Sequence, residues 1–525
     1  MPNKKRCCWQ VICIIGILLS LFACRHHPAG EPKNGFVRIE GEVFKLNNDT
    51  FFPLMLNYVV SYRYLDNEFV VAPCIYYENM DEFETFTPED NQMQIQGHLK
   101  LIKEMGFNSI RLVFDRVSFD KNNKPFYRTD SNDIYLHKYQ KEIIQGLQRF
   151  VAVAKTEDIK IMLLIKAPLN RQIETFTIAL LKTFKDEPAI FAYDFFNEPL
   201  YFDTIKNRTK EEVFQIVSHW ADIMHQYAPH QLFTIGMAEP LEVFKWDPSI
   251  LPIDFVQIHS YNPLRIKSEI YWYKHYIHKP LMLGETALPA ENDSIPYQYQ
   301  CEYFDHVFRY AKDCGVCGFG WWEFQDANIG VFEGKYAGIL HHNDTTYTAD
   351  GKHRILGAPK PIAEHIQTAL EYIPQNQASR PFNYYNMLGY SNICIKGKVV
   401  NKRNKGIEGA VVRGWNKDWS VGMHTFTDSA GNFTLYSNDS CVHFKISAPG
   451  MTCEELFCEP VYVCGPSKDS MPVLPMQKLE YQQINYQYFL VPDAQNIFDF
   501  DTTLFSRYII GAYLAPVRLN KLKLD

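Results

Sequence analysis

Two glutamates in this chain close apolar runs, and that placement suggests chemistry. Glu198 follows the apolar residues 189–196 within the tripeptide Asn197-Glu198-Pro199, and Glu285 follows the apolar residues 280–283. A carboxylate at the point where a buried strand leaves the core is costly unless it has a partner or a function. We therefore interpret Glu198 as a catalytic acid and Glu285 as a second carboxylate of the same pocket.

Other side chains with chemical potential stand at the ends of neighbouring apolar runs. They are Arg111, Asn197, His259, Tyr261, Trp321 and Trp322. Each has an ordinary explanation by itself, such as an ion pair, a core histidine or simple packing. Their joint occurrence at the ends of several predicted strands favours a single site.

The segments that must position these residues are short, apolar and separated mostly by helical patterns. The predicted strands cover residues 52–58, 108–114, 159–165, 189–196, 232–237, 254–258, 280–283 and 316–322. Among the helices between them, the one after the fourth strand begins with a capping box, Thr209 to Glu212. Eight strands in this alternation predict an α/β fold, a (β/α)₈ TIM barrel over residues 36–375, with its site at the carboxyl ends of the strands. Residues 59–95, rich in acids and aromatics, are interpreted as a functional loop over one end of the barrel.

In its order along the chain, this set resembles the retaining glycoside hydrolases of clan A, and the cellulase- and mannanase-like family 5 in particular. The resemblance implies that Glu198 is the acid/base and Glu285 the nucleophile. The negative charge of Glu285 is then expected to raise the pKa of Glu198 and keep it protonated.

The same resemblance implies supporting roles for the remaining residues. Asn197 would bind the sugar 2-hydroxyl, while Arg111 and Tyr261 would hold Glu285. His259 would support the hydrogen-bond network or touch substrate. Either Trp321 or Trp322 would form the floor under the sugar, because alternation along a strand sends the other one outward.

Composition narrows the partners. The net charge of −7 is spread along the chain without a basic stripe, which argues against nucleic acid. No phosphate-binding loop or metal-ligand motif is present, so we expect no cofactor and no metal. The 32 Tyr and 8 Trp exceed what packing requires and suit a groove for sugar or peptide. Together with the resemblance to family 5, they predict a carbohydrate substrate, a β-linked glucan or mannan. The sequence leaves the linkage, endo or exo action and the oligomeric state open.

The N-terminus has the pattern of an export signal. Lys4, Lys5 and Arg6 precede an apolar run, residues 7–23, which ends in a segment that resembles a bacterial lipobox before Cys24. We predict a signal peptide over residues 1–24, a lipid on Cys24, a tether over residues 25–35 and a place in the cell envelope. An uncleaved anchor and an ordinary signal peptide are the alternatives.

The C-terminal part changes texture after a predicted linker at residues 376–391. Residues 392–475 have short strands and turn signals, among them Gly409-Ala-Val-Val412 and Thr427-Asp-Ser-Ala-Gly-Asn-Phe433. These elements resemble those of the carboxypeptidase-regulatory-like β-sandwich, a small all-β domain that is non-catalytic in that family. Residues 476–525 contain strand-like pieces without a predicted role. Of the cysteines, Cys314 and Cys317 are interpreted as packing residues, and the last four could pair with one another: Cys441, Cys453, Cys458 and Cys464.

Two other functions remain open at this point. One is a non-catalytic glycan-binding surface lipoprotein, although such a protein has no need of both carboxylates. The other is an exo-acting β-glycosidase closer to the family 2 barrels, although the sandwich domains that usually precede those barrels are not seen in this sequence.

Overall fold

The structure is a computed structural model that describes most of the chain from residue 34 onward. The described residues are 34–74, 86–114, 117–119, 125–127, 139–165, 171–205, 207–263, 265–291, 295–327, 335–375, 393–420, 422–437, 439–457, 461–466, 471–472, 480–484, 487–491, 504–505 and 508–524. The predicted signal peptide, Cys24, most of the tether and the linker at 376–391 lie outside them. Within the described part, no helix combines the length and the apolarity needed to cross a membrane.

A small antiparallel sheet covers one end of the main domain. Its strands are β1 (Val37–Glu40), β2 (Val43–Leu46) and β3 (Asp49–Phe51). Phe44 and Phe51 pack their rings against Phe191 at the start of the fourth barrel strand, and Phe44 also meets Phe255. This apolar cluster closes the amino end of the barrel and leaves the opposite end as its mouth.

Eight parallel strands then close into a barrel, which confirms the predicted fold class. In spatial order they are β4 (Leu54–Leu65), β6 (Ser109–Phe114), β9 (Lys160–Leu164), β10 (Ile190–Asn197), β11 (Leu232–Met237), β12 (Val256–His259), β13 (Leu281–Glu285) and β14 (Gly318–Trp321). The barrel closes because β14 pairs with β4, Phe319 opposite Leu54. The carboxyl ends of all eight strands therefore surround one mouth.

Helices cover the outside of the barrel. They are α1 (Pro88–Glu104), α2 (Gln140–Thr156), α3 (Arg171–Phe184), the short α4 (Pro199–Phe202), α5 (Lys210–Tyr227), α6 (Ile266–Tyr276), α7 (Tyr297–Asp313) and α8 (Ile362–Ala369). The predicted capping box opens α5, since Thr209 Oγ1 accepts from the Glu212 amide and Glu212 Oε2 accepts from the Thr209 amide. Between β11 and β12 the helical element is a 3₁₀ helix, Pro240–Phe244.

The interpretation of residues 59–95 as a loop over the mouth was wrong for its first part. Strand β4 continues to Leu65, turns, and pairs antiparallel with β5 (Glu68–Pro73). Tyr62, Phe69 and Val71 are buried in the core, and Phe69 O accepts from Arg149 of α2. The aromatic and β-branched residues of this stretch therefore build a hairpin that packs on the helix layer, and residues 75–85 lie outside the described part.

A second hairpin follows the last barrel strand. It consists of β15 (Leu340–Tyr347) and β16 (Arg354–Pro359), and it covers residues that leave β14. Gln325 Nε2 donates to Leu356 O at 2.6 Å, and buried Asp326 accepts from Lys360 Nζ at 2.7 Å. These two polar residues after β14 therefore serve the packing of the hairpin.

The C-terminal part forms two sheets that pack on each other. One contains β20 (Asn432–Ser437), β17 (Ile393–Val400), β28 (Tyr508–Tyr513) and β23 (Val461–Pro466), with β29 (Val517–Arg518) beside β17; the other contains β19 (Gly422–Phe426), β18 (Val411–Trp415), β21 (His443–Ser447) and β22 (Glu454–Phe457). We call this unit the sandwich. Residues 476–525 had no predicted role, yet β28 lies parallel to β17 and completes the first sheet.

Short strand pairs complete the described residues. They are β7 (Val117–Phe119) with β8 (Pro125–Tyr127), β24 (Met471–Pro472) with β27 (Leu504–Phe505), and β25 (Glu480–Ile484) with β26 (Gln487–Val491). Among the described cysteines, Cys441 and Cys453 are unpaired, so the predicted pairing does not involve a bond between them. Cys458 lies outside the described residues, as does the side chain of Cys464. Cys317 is buried and Cys314 partly buried, both as free thiols, in agreement with a packing role.

The sandwich is held against the barrel by buried polar contacts. Lys210, at the start of α5, pairs with buried Asp247 at 2.7 Å and donates to the sandwich carbonyl of Met451 at 2.8 Å. Trp272 of α6 donates its Nε1 to Gly409 O at 2.8 Å. The sandwich thus supplies carbonyl acceptors to donors of the barrel domain, among them a lysine already paired within that domain, and these buried hydrogen bonds fix the position of the sandwich.

Candidate active site

The glutamate at the end of β13 is enclosed at the mouth. Glu285 is buried, and its two carboxylate oxygens accept from different donors. The Arg111 guanidinium donates to Oε1, and the Tyr261 hydroxyl donates to Oε2. Charge-assisted hydrogen bonds at both oxygens fix the direction in which this carboxylate points.

Arg111 of β6 joins several residues of the pocket and is itself completely buried. Its Nε and Nη2 donate to Asp194 Oδ2 at 2.9 and 2.7 Å, and its Nη2 also donates to Asn197 Oδ1 at 2.7 Å. Burial alone would lower the pKa of Arg111, but the carboxylates of Asp194 and Glu285 outweigh that effect and the pKa is raised. A charged guanidinium is thus built into the floor of the mouth.

Glu198 stands beyond the end of β10 in a left-handed backbone conformation with φ 46°. Its amide donates to Gly236 O at 2.8 Å, which ties the bend to β11. A non-glycine residue in this region costs on the order of 1–3 kcal/mol and occurs mostly where the surroundings require it. Here the bend separates the apolar strand from α4 and brings the carboxyl group to the mouth.

Burial raises the pKa of Glu198 to about 7, with smaller contributions from the negative Glu239 and Asp194, while Arg111 acts in the opposite direction. The charge of Glu285, which the sequence predicts as the cause, is not among the main contributions to this pKa shift. The main reason is instead the loss of water around the carboxyl group, which disfavours its charged form. A carboxyl group in this state is suited to donate a proton near neutral pH.

His259, at the end of β12, bridges the two glutamates. Its Nδ1 lies 3.0 Å from Glu198 Oε1 and 3.5 Å from Glu285 Oε1. Burial lowers the pKa of His259 to about 4, so the ring is neutral at physiological pH. One ring nitrogen of His259 and one carboxylate oxygen of each glutamate lie within 4.8 Å of one another, so these atoms could act together as metal ligands.

The three donor atoms are close enough to hold a metal ion, but their chemistry does not favour one. Both oxygens of Glu285 already accept hydrogen bonds, one of them from the permanently charged Arg111. A divalent cation would be placed against a buried guanidinium, which opposes it. We therefore assign no metal to this group.

The two tryptophans at the end of β14 are in different surroundings. Trp321 is fully buried, donates its Nε1 to Ala337 O at 3.0 Å and packs against the rings of Tyr303 and Phe304 on α7. Trp322 is only partly buried. The alternation of side chains sends Trp321 to the helix layer and leaves Trp322 as the candidate floor of the pocket.

Two residues of this network were not predicted. Asp194 accepts from Arg111, from Gln257 Nε2 at 2.6 Å and from the Gly236 amide at 3.0 Å. Asn57 of β4 donates to Gly284 O at 3.1 Å and to Trp321 O at 3.0 Å, and it accepts from Arg111. One signal was present in the sequence, since Asp194 is a lone charge within an otherwise apolar strand.

A second buried acid lies beside the pocket, where the sandwich contributes charge. Glu239, which follows β11, accepts from the Tyr201 hydroxyl at 2.6 Å and pairs with Arg265 at 2.8 Å. Burial alone would raise the pKa of Glu239, but Arg265 and, from the sandwich, Arg413 help to lower it to about 2. His424 of the sandwich adds to this effect only when protonated, and burial lowers its own pKa to about 3. Glu239 is therefore a negative charge adjacent to Glu198.

The fold and this site define a class of protein: an enzyme on a (β/α)₈ barrel, with its catalytic groups at the carboxyl ends of the strands. Residues 76–328 match the sequence model of the family described as Cellulase (glycosyl hydrolase family 5). The match spans a little under half of the chain, seven of the eight barrel strands and both Glu198 and Glu285. The chain is a glycoside hydrolase.

Solved structures with a similar fold include several glycosidases. An endo-1,4-beta-mannanase from Rhizomucor miehei is 15% identical, with 64% of this chain and 100% of that chain covered and a TM-score of 0.41. An exo-beta-1,4-mannosidase from an Opitutaceae bacterium is 14% identical, with 63% and 62% covered and a TM-score of 0.44. Beta-glucuronidase 2 of Bacteroides uniformis is 14% identical, with 81% and 48% covered and a TM-score of 0.43. Comparison with curated proteins gives no significant match.

Proposed function

We propose that the chain is a retaining glycoside hydrolase that cleaves β-linked glucan or mannan through a glycosyl-enzyme intermediate. The observation that carries this proposal is the spacing of the two carboxyl groups: a carboxylate oxygen of Glu198 lies within 4.8 Å of a carboxylate oxygen of Glu285. Retaining enzymes have carboxyl groups about 5–5.5 Å apart, whereas inverting enzymes leave room for a water at about 6.5–9.5 Å. The mouth offers no such room between Glu198 and Glu285.

In the first step, Glu285 attacks the anomeric carbon while Glu198 gives its proton to the departing glycosidic oxygen. The raised pKa of Glu198 keeps that proton in place until it is needed. In the second step, Glu198 is a carboxylate and takes a proton from the water that hydrolyses the glycosyl ester. Glu285 is then released and returns to its hydrogen bonds with Arg111 and Tyr261.

The surrounding residues orient these groups. Arg111 and Tyr261 hold Glu285, while neutral His259 keeps the two glutamates in register. Asn197, fixed by Arg111, would present its amide NH₂ to the sugar 2-hydroxyl, where contacts strengthen in the transition state. Trp322 would form the floor under the sugar ring.

Hydrolysis of a panel of β-1,4-mannan, β-glucans, xylan and the matching aryl glycosides tests the proposal. We expect cleavage of a glucan or mannan substrate, and proton NMR at early times should show the β-anomer as the first product. Appearance of the α-anomer first would contradict the retaining mechanism. Inertness on every substrate, with oligosaccharide binding intact, would favour the non-catalytic alternative.

We also propose that Cys24 carries a lipid that anchors the enzyme in the cell envelope, on the periplasmic side or on the outer surface. The support is the sequence of residues 1–24, with its basic start, short apolar run and terminal cysteine. Expression in a bacterium with a clickable palmitate should label the wild-type chain and leave Cys24→Ser unlabelled. A wild-type chain without label, or equal labelling of both chains, would contradict the anchor.

A further inference from the structure

A cleft of about 760 Å³ lies between the mouth of the barrel and the sandwich. Its barrel side is formed by residues that follow β10 and β11, and its sandwich side by residues of β18, β21 and β22 with the turn after β18. None of its lining residues belongs to the catalytic group described above. The cleft is therefore a separate feature that borders the mouth.

The sandwich side of the cleft carries four aromatic rings in sequence, Trp415, Trp419, His443 and Phe457, which we call the aromatic row. Trp419 stacks on His443 with ring centroids 3.9 Å apart, and His443 meets Phe457 at 4.8 Å. Trp415 lies 5.3 Å from Trp419. The row is therefore continuous along the wall.

The aromatic row is exposed, although burial would stabilise it. Trp419 is 57% exposed and Phe457 is 74% exposed. Large aromatic side chains bury more area than any others when they have a place in the core, and rows of them on a surface mark a binding site more often than chance. The row thus has the character of a contact surface for a ligand.

The turn that carries Trp419 holds the ring in place. Trp419 adopts a left-handed backbone with φ 64°, and its amide donates to Asn416 O at 3.2 Å. The side chain of Asn416 in turn donates to Ser420 Oγ and to Asp439 Oδ2, both at 3.0 Å. A strained residue held by such a network is pre-organised, which reduces the entropy lost on binding.

The barrel side of the cleft includes the two residues that follow the catalytic acid in the chain, although Glu198 itself is not among its lining residues. Pro199 and Leu200, the first residues of α4, line the cleft and directly follow Glu198. The Leu200 amide donates to Glu242 Oε1 at 2.9 Å, and Glu242 also lines the cleft. The cleft therefore starts on the side of the mouth where Glu198 stands.

That side is defined by the chemistry of the acid. The general acid protonates the oxygen of the leaving group, so the leaving part of a sugar chain lies beside Glu198 and extends away from it. The cleft also combines rings with polar groups, since Lys445, Glu455 and Asn207 share its lining with the aromatic row. Pyranose rings have apolar faces and hydroxyl edges, which matches this mixture better than a wholly apolar partner does.

From these observations we infer that the sandwich completes the substrate site: the aromatic row binds the leaving-group end of a β-linked sugar chain whose cleaved bond lies at Glu198. This inference rests on the proposed function. It assigns the sandwich a role in recognising long substrates, and it favours endo action, because several sugar units beyond the cleaved bond would be held.

Substitution of Trp419 by Ala tests the inference, with β-1,4-mannohexaose and cellohexaose compared with an aryl monoglycoside. Stacking on one ring is worth about three- to tenfold in affinity. We expect kcat/KM of Trp419→Ala to fall by that factor on the hexasaccharides and to stay unchanged on the aryl glycoside, whose leaving group is too short to reach the row. Trp419→Phe should restore most of the loss, and Tyr347→Ala, which removes an exposed aromatic ring on β15 outside the cleft, should have no effect on either substrate.

Unchanged kinetics of Trp419→Ala on the hexasaccharides would overturn the inference, as would an equal loss on both kinds of substrate. Calorimetry of hexasaccharide binding distinguishes a failure of this inference from a failure of the proposed function. If the wild-type chain binds a hexasaccharide without cleaving it and Trp419→Ala binds it more weakly, the cleft is supported while the proposed function fails. If hexasaccharide binding is equal in both chains but Trp419→Ala changes the mass in light scattering, the row is a protein interface and the inference is wrong.

Discussion

We expect Glu285→Gln to abolish hydrolysis while leaving the fold intact. Removal of a catalytic nucleophile costs about 10⁶-fold in kcat in well-studied enzymes, because no other group forms the covalent intermediate. The amide has the size of the carboxylate; its oxygen can still accept from Arg111, and its NH₂ group can donate to the Tyr261 hydroxyl oxygen, so the barrel should keep its melting temperature within a few degrees. Steady-state kinetics on an aryl β-glycoside and a thermal melt measure the two quantities.

The matched control is Glu302→Gln on α7, a carboxyl group outside the mouth that accepts from Gln298 at 2.7 Å. It should keep wild-type kcat and wild-type stability. Full activity in Glu285→Gln would remove the nucleophile assignment, and unfolding of that variant would show that Glu285 mainly balances the charge of Arg111.

Glu198→Gln should lose about 10²- to 10⁴-fold in kcat/KM on oligosaccharides, the usual contribution of a general acid. On an aryl glycoside with a good leaving group the loss should be much smaller in the first step, because that oxygen departs without a proton. Exogenous azide should then restore turnover by replacing water, which no longer has a base to activate it. A comparable loss on both leaving groups without azide rescue would contradict the acid/base role.

The pH dependence of the activity follows from the raised pKa of Glu198. Burial raises the pKa of Glu198 to about 7, so the group is protonated and active as an acid below that pH. Activity of the wild type should fall as the pH rises through about 7, and this basic limb should be absent in Glu198→Gln. Glu239 raises the pKa of Glu198, so Glu239→Gln should move the limb to lower pH. A limb that stays in place in both variants would belong to another group.

The sandwich affects the active site of the barrel through the negative charge of Glu239. Arg413 of the sandwich contributes to keeping Glu239 ionised, and Glu239 in turn raises the pKa of Glu198. Together with the aromatic row, this places sandwich residues beside both the acid and the inferred path of the leaving group. The sandwich is thus connected to the active site by electrostatics as well as by shape.

Much of the fold was predictable from local patterns. Apolar runs bounded by polar residues marked all eight barrel strands, and the Thr209 to Glu212 capping box marked the start of α5. Charges at the ends of the runs also indicated which side chains would meet, since parallel strands of a barrel end at one mouth. The role of Asp194 was not predicted, because Asp194 lies inside a strand rather than at its end and its partner Arg111 is 83 residues away in the sequence.

Errors arose where long-range pairing decides the outcome. Residues 59–73 have alternating aromatic and β-branched side chains that suit either a loop or an edge strand, and only the surface of α1 and α2 made them a buried hairpin. The sequence of strand β28 likewise does not indicate that it pairs with β17, which lies more than a hundred residues earlier in the chain. Such pairings depend on which edges remain free after the rest of the chain has folded.

By itself, the sequence determined the barrel, its two glutamates at strand ends and the presence of a separate β unit, because periodicity and strand boundaries are properties of neighbouring residues. Only the tertiary structure decided that burial rather than Glu285 raises the pKa of Glu198, that Trp321 faces the helices, and that the aromatic row lines the same cleft as the residues that follow Glu198. These features depend on how closely distant segments pack, since desolvation and contact exist only once the segments have met.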